Sequence, residues 1–260
     1  EPVIVHHEPV IVHLEQVFLI VLHLEQVFLH QIHLLHQRMI YLDHLDHLLT
    51  PKQRARLESI ASALKYTCRD QIVYHQGQVA DALYFLDLGM VELTTYQKSD
   101  GDRHIVAFLY PGDLFGLSED GRYLNTVRTL APTKLYWLPL DDLQRLLVQD
   151  ARLQLLFLAK AAQELRKAQR QKIVLGQRDP CRRLASFLLE FLRSNQYYDP
   201  ETRIVSLPMN RRDIADYLAL THESVSRALA KLETEGMVQR QSPRLVRLKD
   251  MRALNDLATY

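Results

Sequence analysis

The sequence predicts an α+β protein in which an antiparallel β-roll is followed by a long helix and a winged helix-turn-helix. Residues 70–140 form short apolar runs separated by turn residues, a pattern typical of strands in a roll or barrel. Residues 141–175 change to a helical apolar period, and residues 210–247 indicate two capped helices followed by a basic hairpin. These three observations define the order of the expected domains.

Composition narrows the class of protein. With 260 residues, of which 47% are hydrophobic and 24% charged, the chain is expected to form two globular domains. Its two cysteines, Cys68 and Cys181, stand far apart, so neither a disulfide framework nor a cysteine-held cluster is predicted. The sequence contains no run of about 20 apolar residues and no secretory signal pattern. We therefore expect a cytoplasmic protein with no membrane partner.

The chain divides into four expected segments. Residues 1–47 are of low complexity, because EPVIVH and HLEQVFL each occur twice and nine of the twelve histidines lie there. Residues 48–140 are predicted to form the β-roll, residues 141–176 a dimerisation helix, and residues 177–260 the winged helix-turn-helix. The first helix of the roll is expected to carry apolar residues as far as position 64.

The predicted long helix carries a seam of apolar and small residues at alternating steps of three and four. Such a seam is typical of a helix that pairs with a second copy of itself. The seam residues are Leu158, Ala161, Leu165, Ala168 and Leu175. The alternative is an amphipathic helix that lies on its own roll.

The helix-turn-helix is predicted from capping residues and spacing. Asn210 is expected to cap the first helix and Thr221 the second. The second helix would place Glu223, Ser226 and Arg227 on one face, away from its apolar face. Arginine pairs with guanine in two hydrogen bonds, and glutamate accepts from cytosine or adenine amino groups, so we predict base reading in a major groove. The alternative is a surface ion pair of about 0.3 to 0.5 kcal/mol.

Polar residues around this helix are expected to contact the DNA backbone. Arginine and lysine neutralise phosphates, and hydroxyl groups and imidazole donate hydrogen bonds to them. The predicted backbone contacts are Thr221, His222, Arg211, Arg212, Lys231, Arg240 and Arg244. Double-stranded DNA is therefore the principal expected partner.

Longer motifs extend the interpretation beyond single residues. The roll contains YPGDLFG, and the C-terminal part contains LPMNRRDIADYL followed by ALTHESVSRALAKLETEGMV. With these motifs the chain resembles the superfamily of the cyclic-AMP receptor protein and the fumarate-nitrate reduction regulator FNR, most closely its FNR and FixK branch. The resemblance covers residues 50–250.

This resemblance implies a homodimeric transcription regulator, in most cases an activator, with a cyclic-nucleotide-binding-like roll and RNA polymerase as a partner. In that branch, the residues that match Glu223, Ser226 and Arg227 read the half-site TTGAT. The expected operator is thus similar to TTGAT-N4-ATCAA, and the expected targets are oxygen-, redox- or nitrogen-related genes. His222 stands where cyclic-AMP receptor proteins carry an additional arginine, which favours the FNR-like sequence.

The chain departs from the family pattern at three places, of which the first two concern the effector that the protein would sense and the third concerns the turn of the helix-turn-helix. Where cyclic-AMP-binding members carry a Gly-Glu and an Arg-Ser pair, this chain has Leu117 as the second residue of the first pair and Tyr123-Leu124 as the second pair, so no nucleotide cofactor is expected. FNR resembles an iron–sulfur sensor whose ligands are cysteines clustered near the N-terminus, and the N-terminal segment of this chain contains no cysteine. Ala219 stands in the turn where the family usually has glycine.

Several alternatives remain open at the level of sequence. His30, His33 and His36 recur at three-residue steps, which leaves a haem- or metal-dependent gas or redox sensor of the same family as an alternative. Cys181 precedes two arginines that would lower a thiol pKa, so it is a candidate redox residue, with a structural cysteine as the alternative. No catalytic motif is found, and no enzyme is expected. An oligomeric sensor or scaffold without DNA binding is the second hypothesis.

Overall fold

The β-roll consists of two antiparallel sheets and a short hairpin. The computed structural model describes residues 49–96 and 103–259, so the repeats and histidines of residues 1–47 lie outside the described residues. The strands are β1 (Ser62–Tyr66), β2 (Ile72–Tyr74), β3 (Ala82–Leu88), β4 (Val91–Tyr96), β5 (Arg103–Leu109), β6 (Leu114–Phe115), β7 (Ser118–Glu119), β8 (Arg122–Tyr123), β9 (Thr126–Thr129) and β10 (Thr133–Pro139). The sheet orders are β1-β10-β3-β6 and β2-β9-β4-β5, and β7 pairs with β8. The predicted antiparallel roll is confirmed.

Aromatic rings fill the interior of the roll. Tyr123 stacks on Tyr74 with ring centroids 3.8 Å apart, and Tyr84 stacks on Phe115 at 5.3 Å. All four side chains are buried. The Tyr123 hydroxyl donates to the carbonyl of Ala82 at 3.0 Å, so the polar end of this ring is satisfied inside the core.

The first helix, α1 (Pro51–Ile60), is shorter than predicted. Ala61 ends it in an extended conformation, and Leu64, which was expected to be helical, lies in β1. The cause is tertiary, because β1 pairs with β10 along its whole length and Leu64 packs against the core of the roll. Ladder hydrogen bonds and burial outweigh the helical spacing of the apolar residues.

The segment predicted as one long helix is two helices, α2 (Leu140–Val148) and α3 (Ala151–Gly176). Asp150 separates them. Its backbone is extended, and its carboxylate accepts from Leu153 N at 2.9 Å, which caps α3. The same carboxylate accepts from Gln53 Nε2 of α1 at 3.1 Å. A single aspartate therefore starts a new helix and ties it to the roll.

Helix α3 turns one face to the roll and leaves another in solvent. Leu155, Leu158 and Leu165 are 63%, 55% and 61% exposed. Of the remaining predicted seam residues, Ala168 is exposed, whereas Ala161 and Leu175 are half-buried. Large apolar side chains in a row on one helix are unusual on the surface of a monomer and are suited to helix pairing.

A cluster of buried and half-buried charges holds the other face of α3 against the roll. Lys167 forms ion pairs with Asp113 of the YPGDLFG motif and with Glu164, the latter at 3.1 Å. Lys160, with only 2% of its side chain exposed, lies 3.5 Å from Glu164 and 3.8 Å from Asp113. Burial lowers the pKa of Lys160, and the neighbouring carboxylates oppose that effect. Asp113 thus fixes the long helix on the sheet.

The C-terminal part is the predicted winged helix-turn-helix. The elements are α4 (Pro180–Glu190), β11 (Tyr198–Asp199), β12 (Ile204–Ser206), α5 (Arg211–Tyr217), α6 (His222–Thr234), β13 (Val238–Ser242), β14 (Leu245–Leu248) and α7 (Met251–Ala258). The four strands form a sheet of order β11-β12-β14-β13, and a 3-10 turn at Phe191–Arg193 follows α4. The wing is the β13–β14 hairpin.

The turn between α5 and α6 is strained at one residue. Ala219 has φ of +49°, a left-handed conformation that an L-residue adopts at a cost of about 1 kcal/mol. Arg183 of α4 donates to the carbonyls of Leu218 and Ala219 at 2.8 and 3.0 Å, which satisfies the end of α5. The turn is therefore well bonded although its sequence is not ideal.

We predict that Ala219→Gly stabilises the protein by about 0.5 to 1 kcal/mol, because glycine adopts positive φ without the steric cost. The free energy of unfolding from urea titration measures this change. The matched control, Ala230→Gly in the interior of α6, is expected to lower stability by a similar amount. An equal loss of unfolding free energy in both variants would show that Ala219 is not strained.

We predict that Leu165→Glu gives monomers, because two charges would be buried in a paired α3 seam. Sedimentation velocity measures the mass. Arg152→Glu places the same side chain at an exposed position on a different face of α3 and should leave the dimer intact. A Leu165→Glu protein that sediments as a dimer would remove this face from the interface.

Candidate nucleic-acid interface

Helix α6 is built to present its first two turns to solvent. Thr221 caps it, since its hydroxyl oxygen accepts from Ser224 N at 3.1 Å. The opposite face is buried through Val225, Leu229 and Leu232. This packing fixes the rotation of the helix about its axis, so the polar face projects away from the core.

The three predicted base-reading residues share that polar face. Glu223 and Arg227 are exposed and Ser226 is half-buried. The Arg227 guanidinium donates to Ser224 Oγ at 3.1 Å, and Ser226 Oγ donates to the carbonyl of His222 at 3.0 Å. Both bonds are exposed and can be exchanged for bonds to a base edge at little cost.

The carboxylate of Glu223 is stabilised in its charged form. Hydrogen bonds from its own backbone N–H and from the Thr221 hydroxyl lower the pKa of Glu223, and the helix N-terminus favours negative charge in the same direction. An ionised carboxylate only accepts hydrogen bonds. Glu223 is thus suited to an amino group of cytosine or adenine rather than to a carbonyl oxygen.

The predicted backbone contacts differ in how free their charges are. Arg212, Lys231 and Arg244 are exposed, with Lys231 only 3.9 Å from Glu235 in a loose ion pair. Arg211 is half-buried, and burial together with nearby Arg240 lowers the pKa of its guanidinium. His222 and Thr221 are exposed at the start of α6.

Arg240 has a partner that the sequence did not predict. Its backbone N–H and its Nε donate to the Glu233 carboxylate at 2.8 and 2.6 Å. The pair ties the wing to the end of α6 and neutralises part of the Arg240 charge. Arg244 at the wing tip is therefore the better candidate for a phosphate contact.

Cys181 does not have the environment that its neighbours in sequence suggest. The side chain is buried, and burial raises the pKa of the thiol, with Asp179 acting in the same direction. Arg182 donates instead to the carbonyl of Thr259, and Arg183 to those of Gln177 and Leu218. The prediction of a lowered pKa is wrong, because both guanidinium groups are engaged elsewhere.

Metal-binding groups and membrane-spanning helices can be assessed in the described part of the chain. Within residues 49–96 and 103–259, no group of three or more histidine, cysteine or acidic residues is arranged to hold a metal ion. None of the helices in the same two stretches is long and apolar enough to cross a membrane. His30, His33 and His36 lie outside the described residues, so the haem or metal alternative stays a prediction.

Comparisons with known proteins agree on both parts of the chain. A model of the Crp-like helix-turn-helix domain matches residues 182–257, and one of the cyclic nucleotide-binding domain matches residues 64–150. The nitrogen fixation regulation protein FixK of Azorhizobium caulinodans is 34% identical over 190 residues, which cover 73% of this chain and 76% of that protein. The transcriptional activatory protein AadR of Rhodopseudomonas palustris is 31% identical over 190 residues, covering 73% and 79%.

A solved structure extends the similarity to three dimensions. The structure of FixK2 from Bradyrhizobium japonicum matches with a TM-score of 0.69 and 32% sequence identity. The match covers 77% of this chain and 98% of that one. The similarity thus includes the roll, the long helix and the winged helix-turn-helix together.

Three positions of the phosphate-binding pattern carry residues that do not suit a cyclic phosphate, although the matching domain model is named for cyclic nucleotide binding. Leu117 and Leu124, which stand at two positions of the phosphate-binding pattern, are apolar and 56% and 50% exposed. Tyr123, at a third, is buried in the aromatic core. Arg122 donates to the carbonyl of Gly77 at 2.8 Å. The residues at these three positions of the pattern therefore offer a cyclic phosphate no charged donor.

We predict that cyclic AMP neither binds with micromolar affinity nor alters DNA binding, because Leu117 and Leu124 supply neither charge nor hydrogen bonds to a phosphate. Isothermal calorimetry and DNA titration with and without the nucleotide measure the two effects. Titration of DNA into the same preparation serves as the control for active protein. A saturable heat at micromolar cyclic AMP would contradict the prediction.

Proposed function

Because the chain belongs to the CRP/FNR family of transcription regulators, in its FixK-like branch, we propose that it binds a specific operator as a homodimer and controls transcription there. The members of this family are transcription regulators, so the chain is a regulator and not an enzyme. The observation that carries the proposal is the polar face of α6, which the buried face directs outward from the protein.

The chemistry of that face supports an FNR-like half-site. Arg227 is expected to form two hydrogen bonds with the guanine of TTGAT, and Glu223 to accept from a cytosine or adenine amino group. Ser226 can donate or accept, and thus adjusts to either strand. The operator proposed is similar to TTGAT-N4-ATCAA.

A palindromic operator requires a dimer, because each half-site is read by one of two symmetry-related copies of α6. Two copies of α6 must lie about 34 Å apart to enter the major groove at two positions one helical turn apart on the same side of the DNA. The exposed leucines of α3 supply a surface for pairing two copies. Activation would in addition need a contact with RNA polymerase in the cytoplasm, where the DNA lies. Oxygen-, redox- or nitrogen-related genes are the proposed targets, since similar proteins are named for nitrogen fixation.

Arg227→Ala is expected to weaken binding to the matched operator by about 1 to 3 kcal/mol and to abolish the preference at the guanine, because a pair of base contacts is lost. Arg244→Ala should weaken binding to all sequences alike and reduce the salt slope by about one, since it would remove a phosphate contact. Fluorescence anisotropy at several salt concentrations measures both. Thr234→Ala, at the far end of α6, is the control and should change neither.

The sequence preference itself needs an unbiased measurement. Selection from random duplex DNA should enrich the proposed palindrome, and the Glu223→Ala protein should lose preference at one position of each half-site. Enrichment of an unrelated palindrome would overturn the proposed operator. A preference that neither Glu223→Ala nor Arg227→Ala alters would show that this face does not read bases.

A further inference from the structure

The edge strand of the roll lies along the first helix of the helix-turn-helix. Strand β5 ends its sheet, and it presents Arg103, Ile105 and Phe108 to α5. Arg103 Nη2 donates to Asp213 Oδ1 at 2.8 Å, and the backbone N–H of Ile105 donates to Asp216 Oδ2 at 3.1 Å. The β5–α5 seam, as we call it, comprises Arg103, Ile105, Phe108, Asp213, Asp216 and Tyr217.

Buried charge makes the seam specific. The Glu92 side chain on β4 is 0% exposed, and its Oε1 accepts from Arg103 Nη1 at 3.1 Å. Arg128 Nε also donates to this oxygen, at 2.8 Å, whereas Glu92 Oε2 is buried and has no hydrogen-bond partner among the described residues. Asp213 is only 3% exposed. Arg103 therefore lies between two buried carboxylates and compensates charge on both the roll and the helix.

Asp213 has a second task that orients it for this bond. It is the third residue of α5 and forms a capping box with Asn210, whose backbone N–H donates to Asp213 Oδ2 at 3.1 Å. The cap occupies one carboxylate oxygen and leaves the other for Arg103. The start of α5 is thus fixed in position by its own cap and by the roll.

The seam continues into apolar packing at the other end of α5. The rings of Phe108 and Tyr217 lie 4.9 Å apart, and both are buried. Gln171 of α3 donates to the carbonyl of Tyr217 at 3.0 Å. Helix α5 is consequently attached to the roll along its length and to the dimerisation helix at its end.

We propose that Arg103 is a positioning residue for DNA recognition, which holds α5, and through it α6, in one orientation relative to α3 without a bound effector. This inference rests on the proposed DNA-reading function. Arg103 lies on the roll and is part of neither the α6 reading face nor the wing. When only a fraction of the molecules is competent to bind, the apparent dissociation constant rises in inverse proportion to that fraction.

The test uses the full-length protein and its operator. Arg103→Ala is expected to weaken specific binding roughly tenfold or more while leaving the selected sequence unchanged, because the reading residues are untouched. Asp213→Asn, which retains an oxygen for the cap, should weaken binding in the same way, and the double variant should be no weaker than Arg103→Ala. Arg103→Lys should restore part of the affinity.

A second readout locates the effect. Hydrogen exchange should become faster in α5 and at Ile105, with the interior of the roll unchanged. Arg145→Ala is the matched control, because this exposed arginine forms an ion pair with Asp142 inside α2, away from the seam. It should change neither affinity nor exchange.

The outcomes separate the two proposals. If the Arg103→Ala variant binds the operator with parental affinity and the separate Arg227→Ala variant does not, the seam proposal is overturned and the DNA-reading function stands. A changed sequence preference in Arg103→Ala would also overturn it, since a positioning residue does not read bases. If Arg103→Ala does not fold, folded Asp213→Asn with parental affinity decides against the proposal. Failure of the parent to select any operator would overturn both.

Discussion

The structure depends on the compensation of buried carboxylates at the boundary between the roll and the helix-turn-helix. Glu92 and Asp213 are both removed from water, and each has the Arg103 guanidinium within 3.1 Å, which offsets part of the cost of burying a carboxylate. Arg103 is shared by the two, so a separation of the helix-turn-helix from the roll would deprive Asp213 of this cation, whereas Glu92 would keep Arg128. The ion pairs of Arg103 therefore fix the position of α5 relative to the roll, and they do so more specifically than apolar packing alone would.

Apolar packing surrounds this charged contact. Met90, Ile105 and Phe108 of the roll belong to the same buried cluster as Phe187 and Tyr217 of the C-terminal part. The roll is therefore a platform for the helix-turn-helix, and its own interior is occupied by stacked tyrosines rather than by charged donors for a ligand.

Local features could be predicted from the sequence, and contacts between distant segments could not. The caps at Asn210 and Thr221, and the exposed face of α6, follow from short-range spacing, and the structure has them. The prediction of a lowered pKa for Cys181 was wrong, because the arginines that follow it in sequence bind other partners in the structure. The contact of Arg103 with Asp213 joins residues 110 positions apart, and no periodicity reports such a pair.

Helix α3 connects this arrangement to the proposed dimer. Asp113 and Lys167 attach one of its faces to the roll, while Gln171 holds the end of α5. The face with Leu158 and Leu165 remains available for a second copy. A paired α3 would then set the distance between the two rolls, and each β5–α5 seam would set the position of its own α6. In the proposed dimer, the separation of the two α6 helices would thus depend on the α3 pairing between the chains and on the β5–α5 seam within each chain.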